Sequence, residues 1–323
     1  MPVHLRSSRL RRTLLAALIA ASVAAPVSGA SSPAAVPAPV PAPLAPLRDA
    51  DRGTLDARYA ATRDGILAAG RMAARHGDRK RAAALRGMAD PRRHFLLFDG
   101  RDGGRTAEVF GDLTRAERIA VLVPGADTNL DRYWRLRNDS AALRRELGPK
   151  AAVVAWLGYE TPATVSPAAL TTGRADTAAP GLARFTDQLH TARPAARISL
   201  LCHSYGSVVC ARAAPGLRAV AALVLYASPG TGARDVSALH TRATVWAGRG
   251  TADWVADVPH TRLRLPFVSI GFGPDPVSPG FGARAFDAGT GGHSDYLKPG
   301  SRSLKNIARI VSGTAPSGRS RHA

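Results

Sequence analysis

The sequence predicts an α/β fold: a mostly parallel central sheet with helices on both faces, preceded by an N-terminal helical segment. Three observations carry that expectation. Short, largely apolar runs of strand length recur at residues 119–123, 151–157, 197–202 and 220–226. Stretches of helical period separate them. The loops that follow the runs hold Gly, Pro, Asp and Ser where an open α/β sheet puts its ligand crevice.

In chain order, residues 49–88 carry Leu55, Tyr59, Ile66, Leu67, Met72 and Leu85 among Arg, Asp and Ala, which reads as two amphipathic helices. Asp90 and Pro91 end them. Residues 95–98 and 106–110 read as strands joined by a Gly- and Asp-rich turn. The apolar run 119–123 ends in Pro124 and Gly125. Residues 131–147 are helical, 151–157 a strand, and 158–180, rich in Thr, Ala and Pro, a long loop. A helix over 182–193, a strand over 197–202 and a helix over 205–214 follow. Further strands are expected at 220–226 and 243–247, with a weaker one near 267–270 or 283–286. No internal repeat is visible.

The first residues point to export. Arg6, Arg9, Arg11 and Arg12 precede an apolar stretch at 14–27, and Ser28, Gly29 and Ala30 offer a peptidase its small residues. Residues 1–30 are therefore expected to be a secretory signal, the stretch being shorter than the roughly 20 residues of a spanning helix; an uncleaved anchor facing outside is the alternative. A Pro/Ala-rich linker follows at 31–47, then the helical segment at 48–90, a catalytic domain at 91–312 and a disordered tail at 313–323.

The formal net charge of +20 raises the question of nucleic acid. Only four of the basic residues are lysine (Lys80, Lys150, Lys298, Lys305), the arginines are scattered, and no nucleic-acid-binding motif accompanies them. Specific nucleic-acid binding is not expected; loose association with an anionic cell envelope is. No ligand cluster or dinucleotide fingerprint is present, so neither a metal nor a cofactor is expected. Oligomeric state is not legible.

The chemistry is concentrated where the run 198–201 meets Cys202-His203-Ser204-Tyr205-Gly206. An apolar strand breaking into a helix, with serine at the break, is a nucleophile elbow. The usual glycine two residues before the serine is replaced by Cys202; the one after it is present as Gly206.

A serine hydroxyl needs a base, and the base needs an orienting acid. In the α/β-hydrolase arrangement they follow in the order Ser, acid, His. His293, after Gly289, Gly291 and Gly292, is the expected base. His240 and His260 lie too early, His322 lies in the tail, and His203 is expected to serve packing. Asp253, after the strand 243–247, is the expected acid, with Asp257 and Asp235 as competitors; Asp295 is too near His293. The oxyanion hole is expected from the amides of Tyr205 and Ala126. Asp127 beside it is expected to bond the loop's own amides or a neighbouring side chain and to take no part in chemistry. Trp156, Tyr159, Trp254 and the loop 158–180 either line an apolar entrance or simply pack.

Four segments together carry a resemblance: 121–129 (VLVPGADTN), 155–159 (AWLGY), 203–207 (HSYGS) and 292–296 (GHSDY). Over roughly residues 95–310 the chain resembles the actinobacterial α/β-hydrolase family catalogued as domain of unknown function 1023. The resemblance implies an α/β-hydrolase fold and a Ser-Asp-His triad, with Ser204 and His293 on matching motif positions.

Two readings compete for Cys202. It is small enough to fill a crowded site as a modest hydrophobe. Alternatively, Cys210 lies one helical turn beyond Gly206 on the same face, level with Cys202, and the pair forms a disulfide in an oxidising compartment. The expected activity is ester hydrolysis through an acyl-enzyme on Ser204, with small or lipid-like acyl substrates. Amide or peptide hydrolysis on the same triad, or a non-catalytic envelope-binding role, are the alternatives.

Overall fold

The computed structural model describes residues 36–316 apart from 265, 267 and 268. The predicted signal, the start of the linker, His322 and most of the tail lie outside the described residues. The Gly313 and Thr314 amides, at the start of the stretch expected to be a disordered tail, donate to the Ile310 and Arg309 carbonyls.

Helices α1 (Arg52–Arg75) and α2 (Arg79–Met88) come first, each started by an aspartate that accepts an amide of its first turn, Asp51 from Thr54 and Asp78 from Arg81. Strands β1 (His94–Asp99), β2 (Arg105–Phe110), β3 (Arg118–Val123) and β4 (Ala151–Leu157) follow, with α3 (Trp134–Leu147) between the last two. Next are α4 (Gly173–Ala192), β5 (Arg197–His203), α5 (Gly206–Ala213), β6 (Val220–Tyr226) and β7 (Thr244–Gly248). The chain ends with a short pair, β8 (Leu263–Arg264) and β9 (Ser269–Ile270), then β10 (Arg284–Ala285) and α6 (Arg302–Val311). Both weak strand sites are thus strands, the first outside the main sheet.

The main sheet has eight strands in the order β1-β2-β4-β3-β5-β6-β7-β10. Only β2 runs against the rest; β3, β4, β5, β6, β7 and β10 pair parallel. Side chains of β3 alternate between two cores, Ile119, Val121 and Val123 on one face and Ala120 and Leu122 on the other. Helices α4 and α5 cover the first face; α3, α6 and part of the α1–α2 hairpin cover the second. Burial on both sides is why the inner strands read as unbroken apolar runs. Arg81 ties α2 to the loop before α3 through a bidentate pair with Asp131, at 2.6 and 2.8 Å. Among the described residues no helix is long and apolar enough to cross a membrane.

One expectation needs correction. The loop expected at 158–180 ends early, because α4 starts at Gly173 and not near 182. Its first turns are Thr, Ala and Gly with Pro180 inside the helix, a composition that hides a helical period. They are held by tertiary contacts instead: Ala175, Ala178 and Ala179 are buried, and the Ala175 amide donates to the Tyr205 hydroxyl at 3.2 Å.

Candidate active site

Three non-glycine residues with positive φ lie at the carboxyl ends of adjacent strands: Asp127 (58°) after β3, Ser204 (51°) after β5 and Ala227 (53°) after β6. Backbone strain of this kind persists only where the surroundings enforce it. At Ser204 the amide donates to the Tyr226 carbonyl at 3.0 Å, fixing the turn to the neighbouring strand. Gly206 is required by contact: a Cβ there would lie 2.5 Å from the Val123 carbonyl oxygen. Gly125 arches over the serine, and a Cβ on it would sit 2.7 Å from the Ser204 Cβ.

The side chains of Ser204, His293 and Asp253 form one hydrogen-bonded chain. Ser204 Oγ donates to His293 Nε2 at 3.0 Å, and His293 Nδ1 donates to Asp253 Oδ1 at 2.9 Å. Asp253 is 2% exposed. Burial pushes its carboxyl up, but hydrogen bonds from His293, Tyr296 and the Val255 amide outweigh this and hold it below the ordinary aspartate value. The carboxylate is therefore ionised and faces the imidazole. Asp257 is exposed. Asp235 is bound to Ser237 and Arg234 in its own loop, and Asp295 accepts from the Gly292 amide and pairs with Lys298. None of these three reaches His293. His260 sits beside Arg249 and Asp275, and His240 is exposed, both apart from the serine.

The loop after β3 is clasped from the side. The Asp127 amide donates to the Pro162 carbonyl at 2.9 Å, Thr161 Oγ1 donates to the Thr128 carbonyl at 2.8 Å, and the Tyr159 hydroxyl donates to the Pro124 carbonyl at 2.7 Å. The Asp127 carboxylate accepts the Thr164 amide at 3.3 Å and lies 3.8 Å from Arg132. Among the described residues no acceptor pairs with the amides of Ala126 or Tyr205. One of them follows Gly125 in the arching loop, and the other directly follows Ser204 at the start of α5.

Sequence reasoning missed two positioning groups. Tyr296 donates its hydroxyl to Asp253 Oδ2 at 2.6 Å and accepts the Gly250 amide at 2.9 Å. Its spacing, three residues beyond His293, was the available signal. His203 does more than pack: its Nε2 donates to the backbone carbonyl of His293 at 2.8 Å, while its ring lies 5.2 Å from that of Tyr226. Burial, and next the neighbouring His293, lower His203 to about 4, so it is neutral near pH 7. Of the aromatics, Trp156 and Tyr159 are buried packing residues, 1% and 3% exposed, whereas Trp254 is 50% exposed and lies 4.6 Å from the His293 ring.

Cys202 and Cys210 are joined by a disulfide, their Cα atoms 6.4 Å apart. The bond links the end of β5 to α5 beneath the serine.

An eight-stranded sheet with one antiparallel strand, a strained serine at the β5–α5 turn and helices on both faces define an α/β-hydrolase fold. Residues 99–263 match the Alpha/beta hydrolase family, just over half of the 323-residue chain, and the chain belongs to that family. In sequence it is similar to the uncharacterized protein Rv2079 of Mycobacterium tuberculosis, 29% identical over 252 residues, covering 68% of this chain and 38% of that protein. The chain thus spans well under half the length of that relative. It is also similar to uncharacterized protein Rv0963c of the same organism, 30% identical over 178 residues, covering 48% of this chain and 66% of that one. Among solved structures, the esterase LipW from Mycobacterium marinum aligns over 82% of this chain and 90% of its own, at 15% identity and a TM-score of 0.42. A serine hydrolase without lid from Xanthomonas campestris aligns over 69% of this chain and 93% of its own, at 18% identity and a TM-score of 0.43.

Proposed function

We propose that the protein is a secreted serine hydrolase that cleaves carboxylic esters through an acyl-enzyme on Ser204. The observation that carries this is the continuous hydrogen-bonded chain Ser204–His293–Asp253 at 3.0 and 2.9 Å. In the proposed reaction His293 Nε2 takes the Ser204 proton as Oγ attacks the acyl carbon. The imidazolium formed is stabilised by the ionised Asp253 and then protonates the departing alkoxide. Water, deprotonated by His293, releases the acid. The amides of Ala126 and Tyr205 stabilise the tetrahedral oxyanion. Trp254 supplies an apolar wall beside His293 for the acyl or alcohol group.

Export rests on the basic and apolar pattern of residues 1–30, and the Cys202–Cys210 disulfide supports an oxidising destination. Kinship with the family catalogued as domain of unknown function 1023 belongs to the same reading, as does loose attraction of this basic chain to an anionic envelope. A panel of p-nitrophenyl esters and matched p-nitroanilides, each assayed with wild type and Ser204→Ala, tests the reaction class. Ester turnover that vanishes in Ser204→Ala is expected. Faster cleavage of the anilides would reassign the protein as an amidase.

A further inference from the structure

A concave feature lies apart from the serine. It is a cavity of about 680 Å³ between the end of α5, the loop after β6 and the segment bearing β8 and β9. Arg212, Arg234, His240 and Arg262 line it, and among the described residues no carboxylate does. Each guanidinium has one nitrogen engaged by the protein. Arg212 Nε donates to Asp176, Arg234 Nε lies 3.2 Å from Asp235, and Arg262 Nη1 donates to the Gly232 carbonyl at 2.8 Å. Among the described residues nothing else takes their remaining N–H groups, and Arg262 has no carboxylate partner at all. Three cationic side chains against two aspartates leave an excess positive charge before His240 is counted.

A guanidinium is a planar fork of five donors that matches oxyanions and stays charged at every physiological pH. A carboxylate satisfies one fork with its two oxygens. A phosphate group has enough oxygens and charge for two or three forks at once, and three guanidinium-bearing side chains line this cavity. Ala211, Leu239 and Pro274 supply apolar wall for an organic remainder. The first residue of α5 to line it, Ala211, is seven residues beyond Ser204, roughly 10 Å at 1.5 Å per residue. We propose that it binds the phosphate group of a phosphate-bearing ligand. The proposal does not rest on the hydrolase reading.

Titration calorimetry at matched ionic strength tests it, with inorganic phosphate, glycerol 3-phosphate and dihexanoyl phosphatidic acid as probes and chloride as control. Saturable one-to-one binding of at least one probe is expected, equally in Ser204→Ala and at least tenfold weaker in the Arg234→Gln/Arg262→Gln double variant. Preference for glycerol 3-phosphate or the lipid identifies an organic phosphate, and equal affinity for inorganic phosphate identifies the free ion. Should the double variant not fold, Arg262→Lys, which keeps the charge and loses the fork, is expected to weaken binding at least threefold. No saturable binding of any probe, or binding untouched by the folded variants, overturns the proposal. Unchanged fluorophosphonate labelling of the variants keeps this outcome separate from any failure of the hydrolytic site.

Discussion

Tyr296 donates its hydroxyl to Oδ2 of Asp253 at 2.6 Å, leaving Oδ1 for His293. The same hydroxyl accepts the Gly250 amide, so one side chain orients the carboxylate and braces the loop that carries it. A hydrogen bond to a charged group contributes about 1.5–3 kcal/mol, and about 1.4 kcal/mol is tenfold in rate. Tyr296→Phe is therefore expected to lower kcat/KM for an ester about ten- to a hundredfold while the protein stays folded. Steady-state kinetics beside a melting curve check this, and an unchanged kcat/KM would remove Tyr296 from the machinery.

His203 ties its own strand end to the loop of His293 by donating to the His293 carbonyl. Its burial lowers its pKa from 6.5 to about 4, so between those values the unfolded chain binds the proton and the native one does not. Native stability is thereby lost as pH falls from about 6.5 to about 4. Asp139 acts with the opposite sign: burial raises it from 3.8 to about 7, so its contribution is lost as pH rises through that range. Denaturant titrations across this window separate the two. His203→Gln is expected to flatten the loss at low pH, and Asp139→Asn the loss toward neutral pH.

The Cys202–Cys210 disulfide closes a short loop, with a separation of eight residues. The chain-entropy relation gives about 2–3 kcal/mol for a loop of that size. Cys202→Ala/Cys210→Ala is expected to unfold at lower urea by roughly that amount, and reductant should then change nothing further. Fluorophosphonate labelling of the folded double variant should persist, because the bond braces the elbow without touching the reacting atoms.

Asp127 directly follows Ala126, yet its carboxylate is turned to the Thr164 amide and Arg132. Asp127→Asn is expected to leave kcat within about threefold, since an amide oxygen can still accept from Thr164. A tenfold or larger change in kcat at constant KM would give the carboxylate a part in the chemistry.

Much of this was legible in the sequence, for physical reasons. Strands buried on both faces leave unbroken apolar runs, so β3 to β6 were readable within a residue or two. Ser204 and His293 stand in local sequences shaped by close backbone approach, and Gly206 has to be glycine because β3 runs against it. What escaped depends on contacts between distant segments. The first turns of α4 are secured by Tyr205, thirty residues away, so local propensity gave no sign of them. His203 stands next to Ser204 in sequence and Tyr296 three residues after His293, but their partners are a backbone carbonyl and a carboxylate brought in by folding. Nor does an aromatic residue carry its exposure in its neighbours: Trp156 is core and Trp254 lies against the His293 ring.

In the proposed reaction Ser204 is a nucleophile activated by His293. Intact-mass and peptide mass spectrometry after exposure to a fluorophosphonate tests this. One adduct per chain is expected, located on Ser204, absent from Ser204→Ala and strongly slowed in His293→Ala. An unlabelled wild-type protein, or an adduct on another residue, would contradict it.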